Sequence, residues 1–319
     1  MLFGLAHPIY PAFIMNKHIV IPILTVFLFS GFTPSPALAL SDQNQAQIHF
    51  QKGDDLIDAK KYEDAIKEFK EALRLNPNHF ESHNNLGFVY SQLGHYWEAV
   101  NQYREAVRIR PQNAVAQNNL GFMYNKLGLY EDAIKHLKES TRLNPEYAVA
   151  FNNLGWAYNR QGNFKEGISV LKEAIRLAPE HADAYNNLGW AYNAEKQYAK
   201  AVPTLEEAIR LNPKSAYSQN NLGWAYIGLQ RYKEAVSAFK EAIRLNPKLE
   251  YPYGNLAQLY DQMEEGKKAI FYAEKWEKIA IENGNIPQLR KATELSVKLQ
   301  KKYNGDGEEL VRSPVDLSP

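Results

Sequence analysis

The side chains of this 319-residue chain with the most to offer a ligand are asparagines, set in a fixed frame beside an aromatic ring. NNLGFVY occupies 84–90, NNLGFMY 118–124, and NNLGWAY 152–158, 186–192 and 220–226. An amide carries both a donor and an acceptor, so a row of asparagines can pair with an extended main chain whatever its sequence. Neighbouring aromatic faces add contact area at small entropic cost. The chemistry of catalysis is thin by comparison. The absence of cysteine removes thiol nucleophiles, cysteine-ligated zinc and disulfides. His79 and His83 flank Glu81 but straddle a junction between two segments, a poor metal site. There is no phosphate-cradling glycine loop, nucleophile elbow or helical zinc pair, so neither an enzyme nor a cofactor or metal is expected.

Lys plus Arg number 37 against 36 for Asp plus Glu, which lacks the basic excess of a nucleic-acid binder. A protein or an extended peptide is the expected partner, with no nucleic acid.

What must position the asparagines is a repeated pair of helices. Prolines at 77, 111, 145, 179, 213 and 247 recur every 34 residues, closing segments such as EALRLNP and EAIRLNP. With each proline at position 32, seven frames span 46–79, 80–113, 114–147, 148–181, 182–215, 216–249 and 250–283. A first helix places its core at positions 4, 7, 8 and 11, as in Phe151, Leu154, Gly155 and Tyr158. Gly94, Gly128 and Gly162 at position 15 supply a left-handed stop. A second helix buries positions 20, 21, 24, 27 and 28, as in Ala235, Val236, Phe239, Ala242 and Ile243. Gly at 8 and Ala at 20 are expected where two helix backbones approach. Pro203 falls inside the second helix of the fifth frame and predicts a kink. A polar capping helix is expected over 287–303 and a flexible tail over 304–319.

This period, with its L-G, Y, A, F and P signature, resembles the tetratricopeptide repeat family from about residue 46 to 283. The terminal copies depart from it, with Lys52 in the first and Ala257 and Trp276 in the seventh. The resemblance implies an all-α, right-handed α-solenoid, a superhelix of helix-turn-helix repeats. It also implies that first helices line a concave groove contacted by ligands at positions 2, 5, 9, 12 and 13. The candidate groove residues are then Asn84, Asn118, Asn152, Asn186 and Asn220 at position 5, and Phe88, Phe122, Trp156, Trp190 and Trp224 at position 9. Asn159 and Asn193 at position 12 join them. Asn85, Asn119, Asn153, Asn187, Asn221 and Asn255 at position 6 resemble the asparagine ladder in the repeats of O-linked N-acetylglucosamine transferases. Two readings stand for the position-9 rings: contact with a ligand, or packing between successive first helices. The mid-helix asparagines, each costing on the order of half a kcal/mol against alanine, point to a compensating role.

The function implied is an exported scaffold that binds an extended segment or several partners. Recognition of a glycan or envelope polymer by the Asn and Trp rows is the alternative. The carboxylate clamp of the chaperone-docking repeats is not matched, because position 5 carries Asn rather than Lys or Arg.

No acidic residue precedes Asp42, and 19–32 is nearly all apolar. Read from Met15, MNKH, an apolar run and PSPALA form a secretory signal cleaved after Ala39, so that 1–39 is a leader and the mature chain periplasmic or otherwise in the envelope. The alternative is a membrane anchor at 19–32 and a membrane-tethered assembly factor.

Overall fold

The computed structural model describes residues 36–305. The expected leader as far as residue 35, including the apolar segment 19–32, lies outside the described residues, as does the expected tail from 306. Two compact units meet in sequence between Pro179 and Glu180. The first holds α1 (Pro36–Asp58), α2 (Tyr62–Leu75), α3 (Phe80–Gln92), α4 (Tyr96–Ile109), α5 (Ala114–Lys126), α6 (Tyr130–Leu143), α7 (Ala148–Gln161) and α8 (Phe164–Leu177). The second holds α9 (Ala182–Ala194), α10 (Tyr198–Leu211), α11 (Ala216–Gly228), α12 (Tyr232–Leu245), α13 (Tyr251–Gln262), α14 (Gly266–Glu282) and α15 (Ile286–Asn304). No strand occurs among the described residues, and no described helix is long and apolar enough to cross a membrane.

Each odd-numbered helix from α1 to α13 packs on the even-numbered helix that follows, and within each unit first helices also touch first helices, as α5 with α7 and α11 with α9 and α13. α1 starts well before the frame at 46, and the capping helix α15 extends the expected 287–303 by a residue at either end.

The sequence's punctuation has visible causes. Position 15 is left-handed in all seven frames, at Gly94, Gly128 and Gly162 but also at Lys60, Lys196, Gln230 and Glu264, with φ between 57° and 88°. The Asn-Pro step that ends most second helices forms a side-chain turn: Asn76, Asn144, Asn212 and Asn246 each accept, through Oδ1, the N–H two residues on. α10 runs unbroken through Pro203, which is exposed, while Thr204 Oγ1 donates to the Lys200 carbonyl at 2.8 Å. Pro203 stands early in the helix, where losing a single backbone bond does not end it.

Gly at position 8 is required by the position-24 side chain and also by the close facing helix: a Cβ on Gly121 would stand 2.6 Å from Leu137 and 3.1 Å from the Ala133 carbonyl oxygen at position 20. A Cβ on Gly87 would meet the Tyr103 ring at 3.0 Å, and one on Gly189 or Gly155 would overlap Leu205 or Leu171, all at position 24. The seventh repeat moves this arrangement: Ala257 faces a repeat with Ala273 at position 24, and Trp276 instead lies over Gly254, buried with Tyr253 and Ala292. One large side chain and one glycine have changed places along the helix pair, preserving the packed volume.

Candidate functional site

The asparagines at positions 5 and 6 hydrogen-bond to one another across repeats. Asn119 Nδ2 donates to Asn84 Oδ1 at 3.1 Å and Asn153 Nδ2 to Asn118 Oδ1 at 2.9 Å in the first unit. In the second unit Asn221 donates to Asn186 at 2.9 Å and Asn255 to Asn220 at 2.8 Å. Asn84 and Asn118 also donate to the Oδ1 of their own neighbours Asn85 and Asn119, so the amides of the first unit form a continuous file, whereas in the second unit the two bonds are separate rungs. The file begins where the first repeat has Phe50 in place of Asn, and Asn85 turns to Asp54 at 3.3 Å. In the second unit the row stops at Gly254, which has no side-chain amide to offer. Except for the half-buried Asn84, every position-5 and position-6 asparagine from 84 to 255, Asn152 and Asn187 included, is buried.

Position 12 also faces inward. Asn125 Nδ2 donates to the Asn153 carbonyl at 3.0 Å, and Asn193 to the Asn221 carbonyl at 2.8 Å, tying each first helix to the backbone of the next. A Cβ on Gly167 would collide with Asn159 Oδ1, which accounts for glycine at position 20 of that repeat. Asn159 is buried in the same place.

The aromatic row divides. Trp156 and Trp190 are 2% and 4% exposed, with Trp156 edge-on to Tyr130 at 5.7 Å, whereas Phe88, Phe122 and Trp224 are half-buried. The side chains of the first helices that solvent does reach are chiefly those at positions 2 and 13, with these three rings.

Position 2 carries Glu81, Val115, Val149, Asp183, Tyr217 and Tyr251, all half-buried. Glu81 is held by Arg110 at 2.7 Å. Burial pushes the Asp183 carboxyl up to about 6, and pushes up the Tyr217 phenol, with Tyr251 nearby adding to the effect. Position 13 is Asp58, Gln92, Lys126 and Arg160 in the first unit, where Lys126 lies 5.2 Å from the Phe122 ring centre and Arg160 5.2 Å from that of Trp156. Burial lowers the Lys126 ammonium pKa. In the second unit the row is Ala194, Gly228 and Gln262, and the Tyr198 ring lies against Gly228.

His79 and His83 are engaged in the fold. His79 Nδ1 accepts the Ser82 N–H and caps α3, while His83 pairs with Gln102 at 2.8 Å and with the Pro77 carbonyl at 3.1 Å. No group of three metal-binding side chains occurs among the described residues.

The His83 contacts belong to a device that the sequence analysis missed. Position 4 donates to the carbonyl of the preceding position-32 proline, from His83 to Pro77, Gln117 to Pro111 and Tyr253 to Pro247. It also pairs with position 23, as His49 with Glu68, His83 with Gln102 and Gln117 with His136. The signal was a complementary change of polarity at a separation of 19 residues within the frame.

Models described as TPR repeat match residues 53–94 and 91–128, and models described as tetratricopeptide repeat match 112–180, 152–216 and 196–250. A model of anaphase-promoting complex subunit 5 matches 246–303. No curated protein sequence matches the chain. Among solved structures, a tetratricopeptide repeat protein from Parabacteroides merdae is similar with a TM-score of 0.66 at 17% identity, covering 80% of this chain and 99% of that one. The Cut9–Hcn1 hetero-tetramer of the APC/C gives 0.63 at 19%, covering 82% and 48%. Pseudomonas aeruginosa pilF gives 0.56 at 20%, covering 65% and 94%.

Proposed function

Because the chain belongs to the tetratricopeptide repeat family, we propose that it is a non-catalytic scaffold for protein–protein interaction, holding an extended segment of a partner along its first-helix face. The observation that carries this reading is a division between constant and variable side chains. Positions 5 and 6 are nearly constant and closed, whereas the accessible positions 2 and 13 change in charge and shape from repeat to repeat. A variable row on a constant frame gives selectivity without disturbing the fold. The asparagine file serves this scaffold by fixing the pitch of the row, since its amides are engaged with each other. Glycan recognition loses support, because stacking on a sugar needs an open ring face and Trp156 and Trp190 are inside.

The leader expected over 1–39 places this scaffold in the periplasm or envelope, with a membrane tether at 19–32 as the other arrangement. N-terminal sequencing of the mature chain tests it: a start at Leu40 supports export with cleavage, and a retained apolar segment supports the tether.

Affinity capture from a native envelope extract tests the scaffold reading. The comparison is with a Tyr217→Ala/Trp224→Ala/Tyr251→Ala variant shown by circular dichroism to be folded. A protein retained by the wild type and lost from the variant supports the reading, and identical capture by both removes the second unit's first-helix row from consideration.

A further inference from the structure

We infer that the segment held by this chain presents a lysine or arginine side chain to Asp183, with the Tyr217 and Tyr251 rings flanking the rest of it. This deepens the preceding proposal and rests on the first-helix row being a peptide-binding face.

Asp183, Tyr217 and Tyr251 all occupy position 2, on α9, α11 and α13, and α11 packs on both of the others within the second unit. Asp183 is half-buried, with no hydrogen-bond or ion-pair partner among the described residues. Its counterpart Glu81 shows what a carboxylate at this position takes when the chain itself supplies a partner, namely the Arg110 guanidinium at 2.7 Å. Arg110 ends the second helix of the same repeat, and the residue at that place beside Asp183 is Asn212, whose Oδ1 already accepts the Lys214 N–H. No cation comes from position 13 either, where the unit has Ala194, Gly228 and Gln262.

A carboxylate partly removed from water without a partner weakens the free fold, and burial holds the Asp183 proton up to about 6. An incoming ammonium or guanidinium relieves that cost, and tyrosine faces accept the same cations. The complementary charge therefore selects a basic side chain over an acidic or apolar one.

The experiment pans a library of random linear peptides on the immobilised full chain, then measures a selected peptide and its Lys-or-Arg→norleucine form against wild type and Asp183→Asn. The expected result is a basic residue at one fixed place in the selected peptides, an affinity roughly tenfold lower on Asp183→Asn, and no further loss there from the norleucine change. The melting temperature of Asp183→Asn should be unchanged or higher, which separates lost recognition from lost fold. An Asp183→Lys variant should bind the peptide with glutamate at the basic place. Selected peptides with no shared basic residue, or a norleucine cost equal in wild type and Asp183→Asn, overturn the inference while leaving the peptide-binding reading standing. Failure to enrich any peptide overturns both.

Discussion

At the scale of single residues, each asparagine costs helix propensity and returns it as a bond between neighbours. Asn153→Ala would remove the donor to Asn118 Oδ1 in a buried place, so a loss of about 1–3 kcal/mol in urea denaturation is expected. Asp183→Asn should act the other way. Its folded pKa is raised, so ionisation is penalised in the fold: the wild type loses stability as pH rises from the ordinary aspartate range to about 6. The variant should therefore be more stable by on the order of 1–3 kcal/mol at pH 7, with the difference vanishing below about pH 4. Denaturation curves of both proteins at the two pH values measure it. Trp156→Ala should cost about 3–5 kcal/mol, and Trp224→Ala clearly less, because only the first ring is fully enclosed.

At the scale of helices and turns, a constant backbone is imposed on a varied sequence. The turn at position 15 is left-handed whether the residue is glycine or not, so Gln230→Gly should raise stability by up to about 1 kcal/mol. Gly189→Ala, which drives a methyl into Leu205, should lower it by about 1–3 kcal/mol, and thermal melts of the two variants should move in opposite directions. The capping helix is pinned by Asp261, which accepts Lys302 Nζ at 2.7 Å and Tyr303 OH at 2.9 Å. Burial pushes the Asp261 carboxyl up, but these two bonds and the Lys302 charge outweigh it and hold it below the ordinary value. A depressed pKa means that the pin is fully present above the ordinary aspartate range and is lost as pH falls through the lower, folded value. Asp261→Asn should accordingly weaken amide-exchange protection of α15 at pH 7, with the contrast to wild type fading in acid.

For the whole molecule, the proposed function assigns folding and recognition to different rows of the same first helices. Repeats gain stability from their neighbours, and the amide file is one of the contacts that makes each neighbour specific. Substitutions at positions 5, 6 and 12 should move the melting temperature, whereas substitutions at positions 2 and 13 should move partner affinity. Paired melting and capture measurements on Asn221→Ala and Tyr217→Ala test that separation, and equal effects of both on both readouts would defeat it.

The sequence by itself determined the period of 34, the helix pairs, the turn at position 15 and the family, because these depend on spacing and on backbone preferences that recur in every frame. It also marked the asparagines as purposeful. Only the tertiary structure decided what they bond to. Helical spacing places a side chain on a face of its own helix, but cannot say whether a neighbouring repeat comes close enough to close that face. Asn153 and Trp156 are one turn apart and both buried, while Trp224, in the same frame position as Trp156, remains half open. The position-4 pairs were hidden for the same reason: His83 and Gln102 look unrelated until two helices set their side chains 2.8 Å apart. The missing partner of Asp183 became visible only once Arg110 was seen on Glu81, with Asn212 at the corresponding place in the repeat of Asp183.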